Sequence, residues 1–443
     1  AAGVDRVAMN PFGAEWLDDG WATFVRELHA RAADGRPLRV EPDGPAAWRI
    51  EGAGGGSVTL RYVVDLSFTR EPWPPGNEQA GRFTGDAVYL VTRPVFIAPV
   101  TDGPMRVRFA VPAGWTVSTP WPVAGAETRT RCVRDLNDLL RNSFVAGRHA
   151  VARADHGDFA VTLALPGAAG GAAELFVPVL SAALDDYAGI FGELPERDFL
   201  MTFFYAPADD GESYAGSAAF TARDSVDAEG VMLWGNFIAH ELFHFWNAQR
   251  FRSSERPATR WFSEGATEYF ANRALVREGV VSPAEWIEKA EAHVAMYMLF
   301  RSSPVWSGMT LAEAGGATSR NRPGVYSGGW VASLCLDAEL RVATGDRAGL
   351  ADVMARLDER FGATGTRYPA AALVEAASRA AGRDLGPFFR RYIDGDETLP
   401  VRDCLATFGL AARLKPYAGE AYIWEDPAAA PAERTRLARL LGR

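Results

Sequence analysis

With 443 residues the chain is long enough for roughly two to four domains, and its net charge of −10 and pI near 5.3 deny it the basic face that a nucleic-acid partner needs. Hydrophobic residues make up 48% and charged residues 23%, so the core is ample without a disulfide scaffold. Three widely spaced cysteines, Cys132, Cys335 and Cys404, make neither a thiolate metal site nor a disulfide framework and leave one bridge open.

The chain begins at Ala1, with no Met and no charged stretch leading into an apolar one. A start behind a removed export signal and an arbitrary start both fit, so export (periplasmic or secreted) and a cytoplasmic location stay open. No apolar run is long enough to predict a membrane span. Residues 15–33 read as a helix, from the spacing of Trp16, Trp21, Phe24, Val25 and Leu28. From about residue 36 to 170, short alternating segments such as 57–66 and 105–111 are separated by Gly and Pro clusters at 52–56, 72–76 and 102–104. That pattern predicts a β-sandwich-like unit.

Small residues at 167–173 mark a boundary, and helical periodicity follows. Helices are predicted over 175–191, 232–250 and 262–278, a strand over 198–205, and an edge strand with loops over 213–227. A run of helices follows at 283–300, 327–343, 346–361, 369–381 and 385–392, with a short last helix within 426–443. The fold class expected is α+β.

One of these helices carries chemistry. His240-Glu241-Leu242-Phe243-His244 is an HExxH motif. Positions four apart share a helix face, so His240 and His244 can reach one ion, and neutral imidazoles suit a single Zn2+. A catalytic zinc takes a third protein ligand and keeps one position open. Glu264, 20 positions after His244, is the candidate, because the polar, Pro257-containing stretch 253–259 reads as a loop that returns the chain. Glu241 is placed to act as general base. Glu268, one turn beyond Glu264, either accepts the second N–H of a metal-binding histidine or is a solvated surface carboxylate. Phe237, Ile238, Leu242, Phe243, Phe245 and Trp246 make the motif helix apolar, and two histidines buried there without partners would be costly. The remaining histidines, His29, His149, His156 and His293, have no ligand spacing and read as surface or satisfied structural residues.

HELFHFWN at 240–247, WFSEGATEYF at 261–270, Val325-Tyr326-Ser327-Gly328-Gly329-Trp330, LDAEL at 336–340, Phe388–Gly395, Leu399-Pro400 and Pro112-Ala113-Gly114-Trp115 together resemble the glycyl aminopeptidase family of zinc metallopeptidases. The resemblance spans most of the chain. It implies an N-terminal β-rich domain over 1–170, a thermolysin-like zinc catalytic domain over 171–280 and a helical C-terminal domain over 281–443. It also implies that Tyr326 donates a hydrogen bond to the oxyanion, although Ser327 and Gly328 stand where related patterns often have Glu and Lys. Relatives often carry a PDZ domain after the helical part, and the roughly forty residues beyond Pro400 are too few for one.

Relatives hold the substrate amine with an acid in a Gly-rich segment ahead of the zinc helix. The matching residues 214–220 have no carboxylate, and only Glu212 and Asp224 flank them. The expected function is a zinc metallopeptidase acting on peptides, by family an aminopeptidase for small N-terminal residues such as Gly or Ala. The alternatives are an endopeptidase or a peptidase of altered specificity, and a non-catalytic peptide-binding scaffold.

Overall fold

The computed structural model describes residues 5–70, 72–74, 76–99, 103–195, 197–362 and 364–443. Pro75 and Asp102, each within a turn predicted from sequence, lie outside them, as does Ala1. The chain is α+β, strand-rich in its first half and helical in its second. It divides into two compact units, Ala1–Val177 with Glu196–Val226, and Pro178–Pro195 with Asp227–Arg443.

In the first unit, antiparallel sheets of six, four and three strands precede a five-stranded mixed sheet. Phe159–Pro166, Arg197–Tyr205 and Ser217–Ala222 run parallel at its centre. These three strands are almost continuously apolar and buried, as strands covered on both faces must be. Asp210–Ser213 closes the edge, antiparallel to Ser217–Ala222. Parallel neighbours need a crossover, and the helix Ala173–Phe191 supplies it between Pro166 and Arg197.

The helix predicted over 15–33 does not form. A short 3₁₀ turn, Gly20–Phe24, leads into the strand Val25–Ala32, which pairs with Val58–Val64. Trp21 stacks on Trp73 at 4.8 Å and Phe24 packs edge-on to Phe68 at 5.0 Å, so a distant aromatic cluster claims the apolar residues that mimicked a helical face.

Glu78, in the turn Asn77–Gln79, is fully buried in this unit. Burial, and then the Asp210 and Glu212 carboxylates, push its carboxyl up to about 8. The native state therefore holds a proton that the unfolded chain releases near its ordinary value, and this contribution to stability fades as pH rises from about 4.5 through 8. Glu78→Gln is expected to stabilise the protein at pH 8–9 by a few kcal/mol on the order of magnitude of that shift, and to be neutral near pH 4. Thermal unfolding of both proteins across this range checks it, and parallel stability–pH curves would refute the assignment.

The second unit is built from helices. Pro283–Ser302 starts at a capping box, with Ser282 accepting from Glu285 N and Glu285 accepting from Ser282 N, and with Pro283 in the first turn. The helix Gly329–Thr344 ends at Gly345 in the left-handed conformation. A hairpin, Leu410–Lys415 with Glu420–Glu425, was not foreseen from the sequence. Cys335 and Cys404 are disulfide-bonded across 69 positions, and Cys132 is free.

Among the described residues one stretch, Gly167–Phe191, is long and apolar enough to cross a membrane. It is a weak candidate, because Leu180, Ala183, Leu184 and Tyr187 are buried in the fold and Asp186 is paired with Arg273 and Arg277.

Candidate metal centre

The HExxH residues lie at the end of the helix Val231–Phe243, shorter than the predicted 232–250. His244 follows the last helical residue but keeps helical backbone angles, and its N–H bonds His240 O at 3.2 Å, so the four-residue spacing still brings both rings to one side. Tyr187 fixes this end of the helix by donating to Ala239 O at 2.8 Å and packing edge-on against Phe243.

The returning helix, Arg256–Arg277, begins three residues into the predicted loop, with Pro257 in its first turn. Asn247 Nδ2 joins the two segments by donating to Phe262 O and Thr267 Oγ1, each at 3.2 Å. Gly265 meets Gly329 backbone to backbone. A Cβ on Gly265 would lie 2.2 Å from Gly329 C, and one on Gly329 would lie 2.1 Å from Trp261 O. Only glycine at both positions allows this crossing, which sets Glu264 beside the segment that carries Tyr326.

Among the described residues His240, His244 and Glu264 form a group able to hold a metal, with one ligand atom from each lying within 4.8 Å of the others. All three are buried. Glu264 Oε2 lies 3.3 Å from Nε2 of His240 and 3.3 Å from Nε2 of His244. Each Nδ1 faces an acceptor, Glu268 Oε2 at 2.9 Å for His240 and Asn247 O at 3.1 Å for His244. Protons on Nδ1 leave both Nε2 lone pairs turned toward a carboxylate. A proton on a ring nitrogen or a metal cation among these atoms relieves their mutual repulsion. The donor set therefore fits zinc: two neutral imidazoles and one carboxylate.

The electrostatics agree. Burial opposes a charge on His240, yet Glu264 and Glu268 outweigh it and push this imidazole up to about 10. Burial likewise opposes charge on the two carboxyls, yet Arg260 and His244 beside Glu264, and Lys289 and His240 beside Glu268, hold both well below the usual carboxylate range. The two carboxylates facing His240 therefore favour positive charge at its ring.

Glu241 is buried next to His240 in sequence. Tyr326 is half-buried in a π-helical turn, Pro323–Gly328, with its ring 6.1 Å from that of His240 and the Arg322 guanidinium 4.6 Å over its face. Burial and then the Glu264 charge raise its hydroxyl well above the ordinary value, so it keeps its proton.

Several side chains around the centre were not singled out from sequence. Asn236 donates to Glu268 Oε1 at 2.9 Å, and Asn272 donates in turn to Asn236. Arg260 reaches Glu264 Oε1 at 3.0 Å. Lys289 and His293 both approach Glu268 Oε1 at 3.3 Å. The available signal was spacing: Asn236 precedes His240 by four positions, Arg260 precedes Glu264 by four, and Lys289 precedes His293 by four.

In the first unit, residues 214–220 run from Tyr214 into the strand Ser217–Ala222, where Ala218 and Ala219 are buried. Of the flanking acids, Glu212 lies 3.6 Å from the buried Arg93 guanidinium and Asp224 is exposed.

Comparison with known proteins agrees with this geometry. The family model for the N-terminal domain of peptidase M61 matches residues 15–147, and that for the M61 glycyl aminopeptidase matches residues 234–315. A comparison with curated proteins gives no significant match. An aminopeptidase N family protein from Idiomarina loihiensis has a similar fold, with a TM-score of 0.79 at 17% identity over 93% of this chain and 75% of that one. An M1 zinc metallopeptidase from Deinococcus radiodurans aligns with a TM-score of 0.54 at 16% identity over 90% of this chain and 88% of that one. At such identities these structures speak for the fold alone, while the two family models fall on the β-rich region and on the HExxH and Glu264 segments. The two family models together support an M61 glycyl aminopeptidase-like family for this chain.

Proposed function

We propose that this protein is a zinc-dependent aminopeptidase that favours small N-terminal residues such as Gly or Ala, with a thermolysin-like catalytic region and one zinc ion held by His240, His244 and Glu264. The observation that carries the proposal is the convergence of both Nε2 atoms on Glu264 Oε2 while each Nδ1 is held by an acceptor behind it. Bound zinc supplies Lewis acidity toward the scissile carbonyl and the attacking water. Glu241 takes a proton from that water and delivers it to the leaving amine. The Tyr326 hydroxyl, which keeps its proton, donates a hydrogen bond to the carbonyl oxygen as negative charge develops there. Glu268 holds the His240 ring in the tautomer that a metal needs. Cys335–Cys404 favours an oxidising, exported location.

Hydrolysis of aminoacyl reporters and peptides, free and N-acetylated, with and without chelator, tests the reading. Chelator-sensitive cleavage confined to free N-termini is expected. A second reading, endopeptidase action, is favoured by the absence of a carboxylate in residues 214–220 and by the pairing of Glu212 with Arg93. Equal cleavage of acetylated peptides would select it, and a zinc-replete protein that binds peptides without cutting them would select the scaffold alternative.

Tyr326→Phe is expected to lower kcat by about 10²–10³-fold with zinc retained, as for loss of one oxyanion donor. Steady-state kinetics with metal analysis checks this, and an unchanged kcat would remove Tyr326 from the mechanism.

A further inference from the structure

His293 is a buried titratable group that the proposed chemistry leaves unused. It lies on Pro283–Ser302, away from the HExxH helix in sequence, and is 7% exposed. Its ring stacks on Trp330 at 5.0 Å and 13°. Nδ1 is 3.3 Å from Ser327 Oγ, and Nε2 is 3.3 Å from Glu268 Oε1. The Nε2 contact is within ion-pair range but off the line of a formed hydrogen bond. Glu268 uses its other oxygen on His240 Nδ1, and Ser327 directly follows Tyr326. One imidazole thus touches both the carboxylate behind a metal-binding histidine and the residue next to the oxyanion donor.

We infer that His293 is a positioning residue that couples the orientation of His240, through Glu268, to the placement of Tyr326, through Ser327. The inference rests on the function proposed above. Burial lowers the imidazole's affinity for a proton, so the ring is neutral. A carboxylate oxygen accepts, which assigns the ring proton to Nε2, the nitrogen facing Glu268 Oε1, and leaves Nδ1 to accept from the Ser327 hydroxyl. A neutral ring of this tautomer has one donor and one acceptor, and each faces a matching group. Lys289 and Asn236 also hold Glu268, so removing His293 loosens that carboxylate without freeing it.

The test is His293→Phe, which keeps an aromatic face for Trp330 and removes both nitrogens, beside His293→Gln, which keeps a donor and an acceptor. Three readouts are taken: zinc affinity by chelator competition, the visible spectrum of the cobalt-substituted protein, and kcat with KM. The Phe variant is expected to bind zinc about 10-fold more weakly, as for loss of an outer partner of a ligand, to shift the cobalt spectrum, and to lose about 10-fold in kcat at unchanged KM. The Gln variant is expected to recover most of each. Wild-type zinc affinity and cobalt spectrum in the Phe variant would overturn the inference. If that variant does not fold, Ser327→Ala decides the other arm: reduced kcat with wild-type zinc affinity supports the coupling, and unchanged kcat overturns it. The metal readouts need no turnover, so they judge His293 even if the peptidase reading fails.

Discussion

Glu241→Gln is expected to retain one zinc per chain and to lose about 10²–10⁴-fold in kcat, the range for a positioned general base. The replacement keeps the shape and removes the charge and the basicity. The three candidate metal ligands, His240, His244 and Glu264, are untouched, and their supports are on other residues, Glu268 behind His240 and Asn247 behind His244. Metal content by atomic absorption and turnover on the same preparation give a two-part answer. Zinc kept and turnover lost is the expected pair. Turnover near wild type would mean that another group accepts the proton. Zinc lost with turnover would mean that Glu241 maintains the pocket rather than the chemistry.

Asp186→Ala is expected to cost about 3–5 kcal/mol of stability, because it leaves the buried Arg273 guanidinium without its counter-ion. The Asp186 carboxylate is fully buried and meets Arg273 at 2.8 Å and Arg277 at 3.2 Å, both near the end of Arg256–Arg277. Arg273 also lies over the Phe270 ring at 4.5 Å, so its guanidinium has little room to escape to water. That helix carries Glu264 and Glu268, and the loss should reduce zinc retention on heating as well as lower Tm by roughly 10 °C. Differential scanning calorimetry checks it. Asp185→Ala, which removes an exposed carboxylate one position away, is the control and is expected to stay within about 0.5 kcal/mol of wild type. Equal effects of the two replacements would show that the buried pair is not what holds the helix.

The convergence of His240, His244 and Glu264 was legible in the sequence because its geometry is local. HExxH needs only one helical turn, and Glu264 needs only a second helix reached by a short return. Where the expectation missed, distant residues decided. Residues 15–33 became a turn and a strand because Trp73, Phe68 and Val58–Val64 compete for their apolar side chains. The motif helix stops at Phe243 although apolar periodicity continues, since the backbone bonds beyond Asn247 turn irregular, Ala248 N bonding Trp246 O and Gln249 N bonding His244 O, while the Asn247 side chain bonds across to the returning helix. His293 passed for a structural residue because nothing near it in sequence announces Glu268 or Ser327 as its neighbours. Cys335 and Cys404 could not be paired from spacing, for their proximity is a product of how two helices meet.

The glycine crossing described above bears on how this protein can change. Most contacts between helices can be retuned by exchanging a larger side chain for a smaller one, with some other residue taking up the slack. At Gly265 and Gly329 there is no smaller residue to substitute and no space for a larger one. The distance between the helix bearing Glu264 and the turn bearing Tyr326 is therefore written in main-chain atoms, which have no rotamers to vary. Any change in what this protein does has to proceed through other positions, because the separation of Glu264 from the turn bearing Tyr326 cannot drift by small steps.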